Sequence, residues 1–116
     1  MFKKVSVYLI IITVIFMLSG CGKESKGQEV ISRSEKAINQ LIKDDITIKE
    51  FADKMKNINN YCEAYVEKED DKTSLCTSIY LYYYEASMSS VSDDGIDYEY
   101  WDEALEDLKD YRKTVK

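Results

Sequence analysis

Histidine and proline are absent from this chain of 116 residues, and glycine occurs only four times. Without histidine the usual general base is missing, and with it the Ser-His nucleophile pair and most zinc sites. Gly20 and Gly22 flank a cysteine near the amino end, and the other two glycines are Gly27 and Gly95, so no Gly-rich phosphate loop can be built. A proline-free chain rich in Ile, Lys and Glu points to helices rather than to a sandwich of short strands. The longest apolar run, Val5 to Leu18, has 14 residues. That falls short of the ~20 a bilayer-spanning helix needs. Bases are outnumbered by acids, 16 to 22, for a net charge of −6. This balance disfavours nucleic acid and gives no electrostatic help in lying on an anionic membrane.

The amino end carries the most specific signal. A short basic start (Met1, Lys3, Lys4) precedes the apolar run, which closes on Leu18-Ser19-Gly20-Cys21. Positive start, apolar stretch of secretory length and small residues at the end make an export signal. The terminal tetrapeptide resembles the lipobox of bacterial prolipoproteins, over about the first fifth of the chain. That resemblance implies that the Cys21 thiol is acylated with a diacylglyceryl group and that the signal is cut just before it. It also implies that the mature protein is held in the cell membrane on its extracytoplasmic face, or in the outer membrane of a diderm host. Gly22 is not the aspartate that retains lipoproteins at the inner membrane of such hosts, and the Lys- and Ile-rich composition leans toward a monoderm one. Two acyl chains anchor a protein stably where one does so only marginally. Lys3 and Lys4 leave with the signal and no acid does, so the mature charge falls to −8.

Residues 1–20 are thus expected to be a signal peptide, residues 21–28 a polar lipidated tether, and residues 29–116 a single helical domain. A domain of this size buries only ~60–65% of its unfolded surface, so its stability should be modest without further help. Segment A runs from about Val30 to Lys43, with Val30, Ile31, Ala37, Ile38, Leu41 and Ile42 on one face and a capping-box pair in Ser32 and Glu35. Segment B is punctuated most clearly. Thr47 and Glu50 match a capping box, and Ile46 with Phe51 matches a hydrophobic staple. The apolar positions Ile48, Phe51, Met55, Ile58, Cys62 and Tyr65 then form a heptad seam ending near Glu67. Glu67 to Lys72 is expected to be a solvated connection. Segment C follows from about Ser74 to Ser89, and segment D from about Asp97 to Val115, with acids in its first turn and bases in its last. The expected fold is all-α: a small antiparallel bundle of three main helices, B, C and D, with a shorter N-terminal helix A laid across one groove.

Cys62 and Cys76 remain after Cys21 is acylated, and in the drawn hairpin they stand at similar heights on facing helices. Export and the even count favour a disulfide over two buried free thiols. The Asp93-to-Glu99 stretch fails as an EF-hand loop, because serines and Trp101 fall where the acidic ligands belong. It is read as a helix N-terminus beside an Asp-Gly turn, and no metal or cofactor is expected. The carboxylate pairs Asp44/Asp45, Asp70/Asp71 and Asp93/Asp94 lie in loops or on polar faces without a cleft, so no enzyme is expected.

Nine tyrosines in the mature part are the compositional oddity. In segment C, Leu75, Cys76, Ile79, Tyr82, Tyr83 and Ala86 share the core face. Tyr80, Tyr84 and Met88 form a second row about a third of a turn away, continued by Val91. Either helix A covers this row, the favoured expectation, or the row binds a partner. The functional expectation is a membrane-anchored, non-enzymatic protein-binding module with an unknown protein partner. By size and address alone it is similar to exclusion and bacteriocin-immunity lipoproteins. A structural subunit of an envelope assembly and a small-ligand carrier are the alternatives.

Overall fold

The computed structural model describes residues 25–66, 70–92 and 95–115. The signal sequence and Cys21 lie outside them, as do Asp93 and Asp94. The described residues form four helices: α1 (Lys26–Ile42), α2 (Ile48–Tyr65), α3 (Asp70–Val91) and α4 (Tyr98–Thr114). The expected all-α bundle is what is found, with its arrangement changed. Each helix packs beside its chain neighbours, α1 also packs beside α4, and α1–α3 and α2–α4 are the diagonals. Among these seams α2–α3 is the most extensive and α3–α4 the thinnest.

The N-terminal helix is neither shorter nor laid across a groove. It has 17 residues, as many as α4, and buries Val30, Ile31, Ala37, Ile38 and Leu41 along its length. It also starts earlier than expected, so residues 26–28 belong to a helix and not to a flexible tether. Ser25 caps it by accepting from the Gln28 amide at 3.1 Å, and Gly27 is buried. The cause lies at the far end of the chain. The Gln28 side-chain amide donates to the carbonyls of Arg112 and Val115, which satisfies acceptors that the last turn of α4 leaves open. Arg112 reaches back and donates to Gln28 Oε1 at 3.3 Å, Ser32 Oγ at 3.2 Å and the Glu35 carboxylate. Ser32 and Glu35, which look like a capping box in the sequence, are thus partners of Arg112 in mid-helix.

Segment B matches the expectation closely. Thr47 Oγ1 accepts from the Glu50 amide and Glu50 Oε1 from the Thr47 amide, both at 3.1 Å. Phe51, Met55, Ile58 and Cys62 are buried. The seam breaks at Tyr65, which is 57% exposed. The helix ends there, and Val66, in extended conformation, turns back into the core in its place. The third helix is longer than expected at both ends, starting at Asp70 within the supposed solvated connection. No glycine or proline lies between Gly27 and Gly95, so no helix breaker interrupts it. In the last connection Gly95 takes φ +81°, and Asp97 caps α4 by accepting from the Tyr100 amide at 3.2 Å. Asp44, just past α1, takes φ +60° and accepts from the Tyr98 hydroxyl at 3.2 Å, which ties that end of α1 to the start of α4.

Cys62 and Cys76, 14 positions apart in sequence, are joined as a disulfide with Cα atoms 5.7 Å apart. Both are buried at the α2–α3 seam. Closing a loop of this length contributes ~3 kcal/mol in the chain-entropy model. The oxidised protein should show no alkylatable thiol at these positions, and reduction should lower its melting temperature by on the order of 10 °C. A fall of under about 2 °C, read by calorimetry, would show that the bond adds nothing to the packed seam.

Candidate functional site

Because Cys76 is tied to α2, the rotation of α3 is fixed. Leu75, Ile79, Tyr82 and Ala86 point into the bundle. Tyr82 joins Tyr100, Trp101 and Phe51 in a chain of edge-to-face rings, with Phe51 and Trp101 4.8 Å apart and Tyr100 and Trp101 4.7 Å apart. At 100° per residue, the outward arc of α3 centres about 150° from the core arc, nearly opposite and not a third of a turn away. On it stand Tyr80 (49% exposed), Leu81 (51%), Tyr84 (53%), Met88 (52%) and Val91 (83%). The expected cover by the N-terminal helix does not occur, since α1 and α3 lie on a diagonal of the bundle. All three residues named from the sequence, Tyr80, Tyr84 and Met88, share this open face. Leu81 was missing from that reading. Its signal is the spacing Leu81, Tyr84, Met88, Val91, a 3-4-3 heptad phase like that of the α2 seam.

The face is unusual in its charge as well. From Thr73 to Val91 the only charged side chain is Glu85, in a chain that is 33% charged. Beside Met88, the end of α3 and the α3–α4 connection enclose a recess of about 560 Å³ whose described lining includes Glu85, Ile96 and Asp97 and no base. On α4 a second recess is lined by Asp107, Asp110, Tyr111 and Thr114, where Asp110 pairs with Lys113 at 3.8 Å. The apolar row is therefore met by acid at its Met88 end.

A second surface has the opposite character. Between α1 and α2 a cleft of about 310 Å³ is lined by Arg33, Lys36, Lys54, Gln40 and Asn57 over Ala37 and Ile58. Arg33 stacks on the Tyr61 ring at 5.1 Å, and the Tyr61 hydroxyl donates to Glu29 at 2.6 Å. That hydrogen bond raises the Tyr61 phenol above its ordinary value. Among the described residues no three Cys, Asp or Glu side chains gather in a way that would hold a metal ion. No described helix is long and apolar enough to cross a membrane.

At the thin α3–α4 seam the buried Tyr82 hydroxyl makes no close hydrogen bond: its neighbour Ser78, at the margin of reach, is already engaged with Tyr111 at 2.9 Å. Burial, and after it the Asp107 carboxylate, push the Tyr82 phenol far above its ordinary value, and burial raises the Tyr100 phenol as well. Above about pH 10 the unfolded chain therefore releases protons that the folded chain keeps. Stability is complete below that pH and falls as pH rises through it. Tyr82→Phe should raise stability by about 1 kcal/mol, because it removes an unpaired buried hydroxyl. It should also flatten the alkaline fall. Denaturant midpoints across the alkaline range check both effects, and a clear loss of stability at neutral pH would mean that the hydroxyl is partnered.

No protein-family model, curated protein or solved structure matches the chain.

Proposed function

We propose that this protein is a lipid-anchored, extracytoplasmic, non-enzymatic module that binds another protein through the outer face of α3. The observation that carries the reading is the row Tyr80, Leu81, Tyr84, Met88 and Val91, all exposed on one arc of a helix whose opposite arc already fills the core. Contiguous exposed apolar side chains on a small domain mark an interaction surface. Tyrosine in particular supplies contact area at low entropic cost. The address rests on the export signal and on Leu18-Ser19-Gly20-Cys21. The acidic mature surface supports anchoring by lipid rather than by charge.

The absence of histidine favours binding over catalysis. The described recesses are open and lined by charged side chains, which argues against a carrier of apolar small molecules. Exclusion or immunity roles and a role as an envelope-assembly subunit would all use such a face.

Two variants test the two halves of this reading. Cys21→Ser should release the chain from membranes in a carbonate wash; retention would mean that an uncleaved signal is the anchor. Tyr84→Ala should keep the wild-type melting temperature while removing the larger species that the wild-type chain forms in native membranes, read by native electrophoresis in mild detergent. A destabilisation of ~2–4 kcal/mol, the range for a buried aromatic, would show that the face belongs to the core. A wild-type chain running as a monomer would show that it binds nothing there.

A further inference from the structure

We propose that the partner segment is a basic amphipathic helix, whose apolar seam covers Leu81, Tyr84 and Met88 and whose Lys or Arg enters the recess between Glu85 and Asp97. The proposal rests on the reading of α3 as a protein-binding face and names the chemistry of what it binds.

The apolar half follows from spacing. Leu81, Tyr84, Met88 and Val91 stand 3, 4 and 3 residues apart on a 22-residue helix, so they form a straight seam over about three turns. A seam of that phase pairs with another helix carrying the same repeat, knobs into holes. The charged half follows from what borders the seam. Glu85 is the only charge between Thr73 and Val91, and with Asp97 it lines the same recess as Met88 and Ile96. A Lys or Arg from the partner would lay its methylene stem on Met88 and Ile96 and place its head between the two carboxylates.

A second copy of this chain fits the same face less well. Its seam would match, but its acidic border would meet its own kind, on molecules already carrying −8 each after loss of the signal. Like charges juxtaposed across an interface oppose association. An anionic membrane surface is opposed by the same border. In addition, α1, the helix nearest the anchor in sequence, lies diagonally opposite α3.

The test places a photo-crosslinking phenylalanine at Tyr84 of the full chain in its native membranes, with a second probe at Lys54 in the basic cleft. The crosslinked peptide is sequenced by mass spectrometry, and fold is monitored by formation of the Cys62–Cys76 bond. The expected adduct at position 84 is a peptide of another protein, net positive, with apolar residues at helical spacing. Adding Glu85→Lys should lower its yield roughly tenfold, as expected when a carboxylate facing a cation is reversed. An adduct with a second copy, with lipid, or with an acidic or non-helical segment would overturn the proposal, as would a yield indifferent to Glu85→Lys. A protein adduct at position 54 with none at 84 would overturn it while leaving a binding module that uses the other face. Adducts at neither position, in a chain that is folded and oxidised, would overturn both readings.

Discussion

The Cys62–Cys76 bond sets the phase of the third helix, and with it which tyrosines are core and which are surface. Cys76 is turned toward α2 and buried, so residues one turn and two turns along from that edge are committed to the interior. Ile79, Tyr82 and Ala86 fill the bundle, while Tyr80, Leu81, Tyr84, Met88 and Val91 are left outside. Helix α3 by itself has no preference strong enough to choose, since it is apolar on two opposite arcs and nearly uncharged between Thr73 and Val91. A heptad seam faces outward on one side and a core stripe inward on the other. The covalent tie to α2, together with the length of that seam, resolves the choice.

The same bundle is closed at its other edge by polar contacts rather than by a bond. Gln28 and Arg112 clasp the start of α1 to the end of α4, and Tyr98 with Asp44 does so at the opposite end. These contacts draw α1 into the ring as a full member and leave the α3–α4 seam the thinnest. There the Tyr82 hydroxyl is buried without a close hydrogen bond and an acidic recess opens beside Met88. The seam with least packing is thus also the border of the exposed face of α3.

What was legible in the sequence was local. The Thr47–Glu50 box and the facing heights of the two cysteines follow from spacing within one helix or one hairpin. What was not legible depended on residues far apart in the chain. Ser32 and Glu35 have the spacing of a capping box, and only Arg112, nearly eighty residues away, reveals their use. The start of α1 at Lys26 likewise needs the C-terminus of α4 as its partner. Tyr65 fits the α2 seam by spacing, yet the chain leaves the helix there and Val66 replaces it. For the α3 face, Tyr80, Tyr84 and Met88 could be named, but whether α1 covered them was a question of which helices lie on the diagonal. Leu81 was lost among neighbouring tyrosines because its seam becomes visible only once the core arc is fixed.

The central claim is that the outer face of α3 is open in the isolated fold and covered in the native membrane. The two methionines of the described residues report on it directly, because Met88 stands on that face and Met55 is fully buried. Mild peroxide treatment followed by mass spectrometry should oxidise Met88 much faster than Met55 in the purified oxidised protein. In native membranes Met88 should be protected, with Met55 slow in both settings. Equal slow oxidation of both methionines in the purified protein would mean that the fold itself covers the face. Rapid oxidation of Met88 in both settings would mean that nothing binds it.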